Sequence, residues 1–187
     1  MTLLHTSVRR FVEMDEPSWV AFNDAFREFQ LGRGDFLLQP GQTCKHIYLV
    51  QEGLLRSFYM KEGDERNIAF ALENSFVTDL KSLRSGQASE LAIQALEPST
   101  LLGVAKADLI RLYQQHHQIE AFGRRLLETL LEEQEEVASW FRLYSAKERY
   151  ALLGQRYPSL LQRLPLGHLA SFLGVRRETL SRIRRLK

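Results

Sequence analysis

The sequence is short of the residues that would tie it to a disulfide, a metal or a membrane. Its one cysteine, Cys44, has no partner for an internal disulfide and excludes an iron–sulfur cluster held by this chain, which takes about four thiolates. Cys44 reads instead as a small buried side chain. Histidines are few and scattered, and the adjacent pair His116 and His117 would project about 100° apart on a helix, too far to chelate together. They read as exposed residues at a helix start, and neither a metal site nor a cofactor is expected. No apolar run approaches the roughly 20 residues needed to span a bilayer. At the amino terminus Arg9, Arg10, Glu13, Asp15 and Glu16 interrupt any signal-like pattern. A cytoplasmic chain without membrane association is therefore expected. No internal repeat or low-complexity tract stands out.

What is present is ordinary in amount and uneven in placement. The 187 residues allow one domain or two small ones, and 44% hydrophobic with 26% charged residues excludes global disorder. From Lys147 onward there are ten Lys/Arg against two Glu, a net +8, which leaves −6 for the rest of a chain whose total is +2. A basic tail on an acidic body suggests a nucleic-acid-binding unit joined to something else.

That tail, 164–187, reads LPLGHLASFLGVRRETLSRIRRLK: two short helical patterns on either side of Gly174. The spacing is that of a helix-turn-helix. Ala170 allows close approach of the second helix, and Gly174 supplies a turn at which a left-handed backbone carries no Cβ penalty. Leu169, Leu173, Val175, Leu180 and Ile183 fall where they can face one another. Arg176, Arg177, Glu178, Ser181, Arg182, Arg184 and Arg185 fall outside. A helix built this way can enter a major groove.

Upstream, residues 1–30 read as helical. Asp15-Glu16-Pro17 supplies a helix start, and Trp19, Phe22, Phe26 and Phe29 recur at three and four. From Leu31 the pattern turns to short strands separated by Pro40-Gly41, Gln51-Glu52-Gly53, Lys61-Glu62-Gly63-Asp64 and Glu73-Asn74-Ser75. Further β segments follow at Glu90–Leu96 and Ser99–Val104. Strands at this interval with Gly or Asn at the turns indicate an antiparallel sandwich or barrel. A long helix is expected from about Gln118 to Tyr144. It carries more apolar surface than one face needs, so it packs on two sides or meets a partner chain. Lys147 opens a further helix that Tyr157-Pro158 ends.

In this order the elements resemble the Crp/Fnr family of bacterial transcription regulators. The resemblance rests on Gly34-Asp35, Pro40-Gly41, Tyr48–Gly53 and Gly63-Asp64-Glu65 for the β-roll, and on Gly174–Ile183 for the recognition helix. Glu148-Arg149-Tyr150 with Leu152-Leu153 and Pro158, and Leu169–Gly174, are further similar to the short-tailed members of Bacteroidetes-like genomes. It implies an α+β fold: an antiparallel β-roll (a jelly roll) with flanking helices, a long dimerisation helix, and a small helix-turn-helix domain lacking the C-terminal wing of many relatives. The boundaries so implied are 1–117 for the cyclic-nucleotide-binding-like sensor domain, 118–145 for the dimerisation helix and 146–187 for the DNA-binding domain. Such a protein is no enzyme and has no catalytic residues. Its partners are double-stranded DNA and a second copy of itself, with RNA polymerase as a further partner through loops that carry no readable motif. Arg177, Glu178 and Arg182 match the family's base-reading positions. Arg176, Thr179, Ser181, Arg184 and Arg185 are candidates for phosphates, which position without specifying.

The effector pocket departs from the family pattern. Members that bind cyclic AMP hold its ribose phosphate with Gly-Glu-Leu and a later Arg-Ser. Here Thr78 and Asp79, before Leu80, replace the glycine and glutamate, while Ser89 and Glu90 stand at the arginine and serine positions, with Arg84 nearby in the preceding stretch. A phosphate would meet a carboxylate in place of a guanidinium, which argues against cyclic AMP and leaves the small-molecule effector unidentified. Two other classes compete. A cupin-like metalloenzyme needs several His and Glu ligands on neighbouring strands, and the strand region holds only His46. A ligand-sensing or scaffold module without DNA binding is opposed by Arg177, Glu178 and Arg182.

Overall fold

A computed structural model describes residues 2–185. In chain order the elements are α1 (Leu3–Arg9), α2 (Glu16–Asp24), β1 (Phe26–Leu31), β2 (Phe36–Leu38), β3 (His46–Glu52), β4 (Leu55–Lys61), β5 (Asp64–Ala71), β6 (Phe76–Val77), α3 (Leu80–Ser85), β7 (Leu91–Ala95), β8 (Ser99–Ala105), α4 (Lys106–Gln115), α5 (His117–Leu143), α6 (Ala146–Arg156), α7 (Pro158–Arg163), α8 (Leu166–Leu173) and α9 (Arg177–Arg185). They form two compact units, Met1–Phe58 with Phe70–Thr129, and Tyr59–Ala69 with Leu130–Lys187. Leu186 and Lys187, the last residues of the expected DNA-binding domain, lie outside the described residues.

The strands form two four-stranded sheets, ordered β1-β8-β3-β6 and β2-β7-β4-β5, of which Tyr59–Ala69, at the β4–β5 hairpin, belongs to the second unit. β8 is the central ladder of the first sheet. It pairs antiparallel with β1 from Phe26↔Val104 to Leu31↔Ser99, and with β3 from His46↔Ala105 to Glu52↔Thr100. Apolar side chains from both sheets make the core, with Leu49, Val50, Leu54, Leu55 and Leu101 fully buried. An aromatic cluster joins the helices to it. Phe122 of α5 meets Phe11, Phe22 and Phe76 edge to face at 5.6, 5.1 and 5.7 Å, an arrangement that suits the ring quadrupoles.

The amino-terminal stretch departs from the expected helix. Helix α2 stops at Asp24, and Phe26 and Phe29 belong to strand β1. Their spacing fits a helix, but pairing with β8 satisfies six residues of backbone at once, and aromatic side chains favour strands. The Phe29 ring lies over Gly103 of β8, where a Cβ would come within 2.6 Å of it. Two short helices, α3 and α7, interrupt stretches read as irregular or as a helix end. At six residues each they are too brief to show a period. Pro158, read as a terminator, occupies the first turn of α7, where its missing N–H is no loss.

In the second unit α5 continues into α6, which starts with a complete capping box between Ser145 and Glu148. Arg156 pairs with Glu136. The turn joining β4 to β5 has left-handed backbone at Glu62 and Gly63, as a two-residue hairpin requires. Among the described residues no helix is long and apolar enough to cross a membrane.

Candidate functional site

Helix α8 ends at Gly174, whose φ of 68° and ψ of 33° are left-handed. Its N–H and that of Val175 close back on Ser171 and Ala170 carbonyls at 3.2 and 3.0 Å, so the last carbonyls of α8 keep partners. The chain then turns directly into α9. Leu169, Ala170, Phe172, Leu173 and Leu180 are buried, with Val175 and Ile183 half-buried beside them. Leu180 and Ile183 thus give α9 one inward edge.

The opposite face of α9 is cationic. Arg176, Arg177, Glu178, Arg182, Arg184 and Arg185 are exposed, whereas Thr179 and Ser181 are half-buried. Helical geometry puts Arg177, Ser181 and Arg185 in one row and Glu178 and Arg182 in the next. Thr179 falls toward the Leu180–Ile183 side. Among the described residues none of these five arginines is held by a side-chain hydrogen bond or an ion pair. An exposed cationic surface of this kind attracts anions.

One contact had no signal in the sequence. In this same unit the β4–β5 hairpin docks on α8. Ser171 donates its hydroxyl to the carbonyl of Glu65 at 2.8 Å and accepts from the Asn67 backbone N–H at 3.0 Å. Asn67 also donates its amide to the carbonyl of His168 at 3.3 Å, and is only 5% exposed. A cavity of about 430 Å³ opens beside them, lined by Glu65, Asn67, Pro165, His168, Ser171 and Arg177. Partners a hundred residues apart, joined by one serine and one asparagine, leave no periodic trace.

The six residues expected at the effector pocket part company. Asp79 and Ser89 come together: Ser89 donates its hydroxyl to the Asp79 carboxylate at 2.6 Å, and both are buried. The other oxygen of Asp79 caps α3, accepting from the backbone N–H groups of Lys81 and Ser82 at 3.0 and 3.2 Å. Thr78 donates its hydroxyl to the His46 carbonyl at 2.9 Å, and Leu80 is half-buried. Glu90 faces solvent 3.7 Å from Lys81. Arg84 is exposed in the last turn of α3, on a helix where irregular chain was expected. The inner carboxylate is therefore Asp79, already bonded to the donors that an incoming phosphate would need. Close by, burial, with a smaller contribution from Cys44, pushes the Tyr48 phenol up to about 12. Among the described residues no group of three His, Cys, Asp or Glu side chains is placed to hold a metal.

Residues 28–116 match the family model of the cyclic nucleotide-binding domain, a span that runs from β1 through α4. No curated protein matches the chain by sequence. Among solved structures it is similar to FixK2 from Bradyrhizobium japonicum, at 19% identity and a TM-score of 0.74, covering 86% of this chain and 83% of that one. It is similar also to a putative transcriptional regulator of the Crp/Fnr family from Eubacterium rectale, at 17% identity and a TM-score of 0.70, covering 92% and 83%. The Catabolite Activator Protein of Thermus thermophilus is 20% identical with a TM-score of 0.60, covering 96% and 85%. At these identities the likeness is one of fold: an antiparallel jelly roll with helices.

Proposed function

We propose that the chain is a sequence-specific, dimeric DNA-binding transcriptional regulator of the Crp/Fnr type, without enzymatic activity, working in the cytoplasm. The observation that carries this reading is the cationic face of α9, whose arginines have no internal partner among the described residues, set on a helix anchored through Leu180 and turned off α8 at Gly174. Lying in a major groove, α9 would present Arg177 and Glu178 in its first turn and Arg182 one turn on. Arginine can bond both acceptors of a guanine edge, and glutamate can accept from a cytosine amino group. Arg176, Arg184 and Arg185, with Thr179 and Ser181 more recessed, would meet phosphates. The domain assignment follows: 1–117 as sensor, 118–145 for pairing and 146–187 for DNA.

Dimerisation is supported by a row on α5 that the described residues leave exposed. Leu127, Leu131, Gln134 and Ala138 are exposed and recur at four, three and four, the spacing of a two-stranded seam. Ile119, Phe122 and Leu126, on the other side, are buried. Two chains paired along α5 would bring two α9 helices to successive major grooves about 34 Å apart. A two-fold symmetric site is then expected.

The β-roll of this regulator does not take cyclic AMP. Support comes from Asp79, whose carboxylate occupies the α3 N–H donors and the Ser89 hydroxyl. A cyclic nucleotide phosphate would have to displace an internal anion and would find no arginine at position 89. Selection of bound sites from random DNA tests the main reading: recovery of a symmetric motif supports it, and recovery of no motif sinks it in favour of a sensing or scaffold module. Isothermal titration with cyclic AMP and cyclic GMP tests the second part, and micromolar binding of either refutes it.

A further inference from the structure

Arg149, in the first turn of α6, joins the ends of two other helices. Its guanidinium donates to the carbonyl of Tyr144 at 2.9 Å and to the carbonyl of Leu173 at 2.9 Å. Tyr144 directly follows α5, and Leu173 is the last residue of α8. Carbonyls at helix C-termini lack partners within the helix and carry the negative end of its dipole. One cation therefore answers two helix ends at once. The guanidinium also lies over the ring of Phe141, in the last turn of α5, at 4.7 Å. The same ring reaches the turn between α8 and α9, since a Cβ added at Gly174 would fall 3.3 Å from it. Arg149, Phe141 and the Gly174 turn are thus packed in series.

This arrangement needs an arginine rather than any cation. The planar fork can hold two carbonyls in fixed directions while its face stacks on a ring, whereas a lysine ammonium is a point charge on a flexible stem. Among the described residues the Nε of Arg149 is buried without a hydrogen-bond partner. Its two terminal nitrogens and its face make the junction.

We infer that Arg149 is a positioning residue: it fixes the α8–α9 pair at the end of α5 and so sets the separation of the two α9 helices in a dimer. The inference rests on the reading of the chain as a dimeric DNA-binding regulator. If two chains pair along α5, each α9 hangs from the far end of that helix, and any rotation at the junction changes the distance between them. DNA tolerates little of this. One base pair inserted between half-sites shifts them by about 3.4 Å along the axis and turns them by about a tenth of a turn.

The test uses the full chain, the selected operator, and versions with one or two base pairs added or removed between the half-sites. Binding is followed by fluorescence anisotropy, with thermal unfolding measured alongside. Wild type should reject the re-spaced sites. Arg149→Gln should bind the selected site about tenfold more weakly, the low end for loss of a hydrogen bond to a charged group, and should lose most of the discrimination by spacing. Arg149→Lys should recover part of the affinity and leave spacing relaxed. If Arg149→Gln weakens every operator in proportion while the spacing preference stays at the wild-type ratio, the positioning role is overturned. Should Arg149→Gln not fold, Arg149→Lys decides: relaxed spacing supports the role and wild-type spacing overturns it. A wild-type protein indifferent to half-site spacing overturns the dimeric reading, and the inference with it.

Discussion

At the scale of single residues, the arginines of α9 divide by what each can reach. Arg182 follows Glu178 by one helical turn, and Arg185 stands a turn beyond Ser181 at the far end of the exposed face. Replacing Arg182 by alanine should cost about 1–3 kcal/mol on the operator and relax preference at one base position. Replacing Arg185 should weaken binding to every sequence and reduce the salt slope by about one. Anisotropy titrations on operator variants at several salt concentrations separate the two outcomes, and equal effects on all variants would end this division of labour. Residue type was enough to nominate these positions because exposure of a charged side chain on an amphipathic helix follows from its period. Asp79 is the opposite case. Its replacement of a glutamate was visible in the sequence, but its bonds to Lys81, Ser82 and Ser89 depend on α3, a helix too short to announce itself.

At the scale of elements, helix starts carry a pH dependence. The Ser145 hydroxyl and its backbone N–H both donate to Glu148 and hold the Glu148 carboxyl below its ordinary value. Asp15 is lowered in the same way by Ser18, at the start of α2. A carboxylate with a depressed folded pKa stabilises fully above its unfolded value, about 4.3 for glutamate, and loses that contribution as pH falls through the folded value. Ser145→Ala should therefore destabilise the protein at pH 7 by about 1 kcal/mol, the usual worth of an N-cap. In urea titrations the gap from wild type should narrow below about pH 4, as Glu148 takes up a proton. A gap independent of pH would show that the reciprocal bond adds nothing. The cap of α2 was legible as Asp15-Glu16-Pro17, whereas α6 was expected to open at Lys147 and its Ser145 cap is a finding of the structure. The strand β1 was not legible, because Phe22, Phe26 and Phe29 satisfy a helical period and only the open edge of β8 decides against it.

At the scale of the whole molecule, the reading stands on pairing through α5. Leu131 is 56% exposed in the middle of the row at Leu127, Leu131, Gln134 and Ala138. Leu127→Glu with Leu131→Glu should give a monomer by sedimentation and weaken operator binding by at least tenfold, since one recognition helix forfeits the contacts of the second half-site. A double variant that remains a dimer would move the interface elsewhere. The long helix itself was legible to within a residue at each end, because its apolar period runs unbroken by glycine turns or proline.

The sequence by itself determined the coarse succession of strands, one long helix and a terminal helix pair, the turns at Glu62-Gly63 and Gly174, the inward residues of α8 and α9, and the cationic character of the last helix. Each of these is written in local periodicity, in turn chemistry or in charge, which act over a few residues. Only the tertiary structure decided that Phe29 lies in a strand against Gly103, that Asp79 fills the α3 cap, that Ser171 grips the β4–β5 hairpin, and that Arg149 joins the ends of α5 and α8. Each of those is a contact between segments far apart in the chain. Such contacts are fixed by which backbone groups lack a nearer partner, and that deficit exists only once the chain has folded.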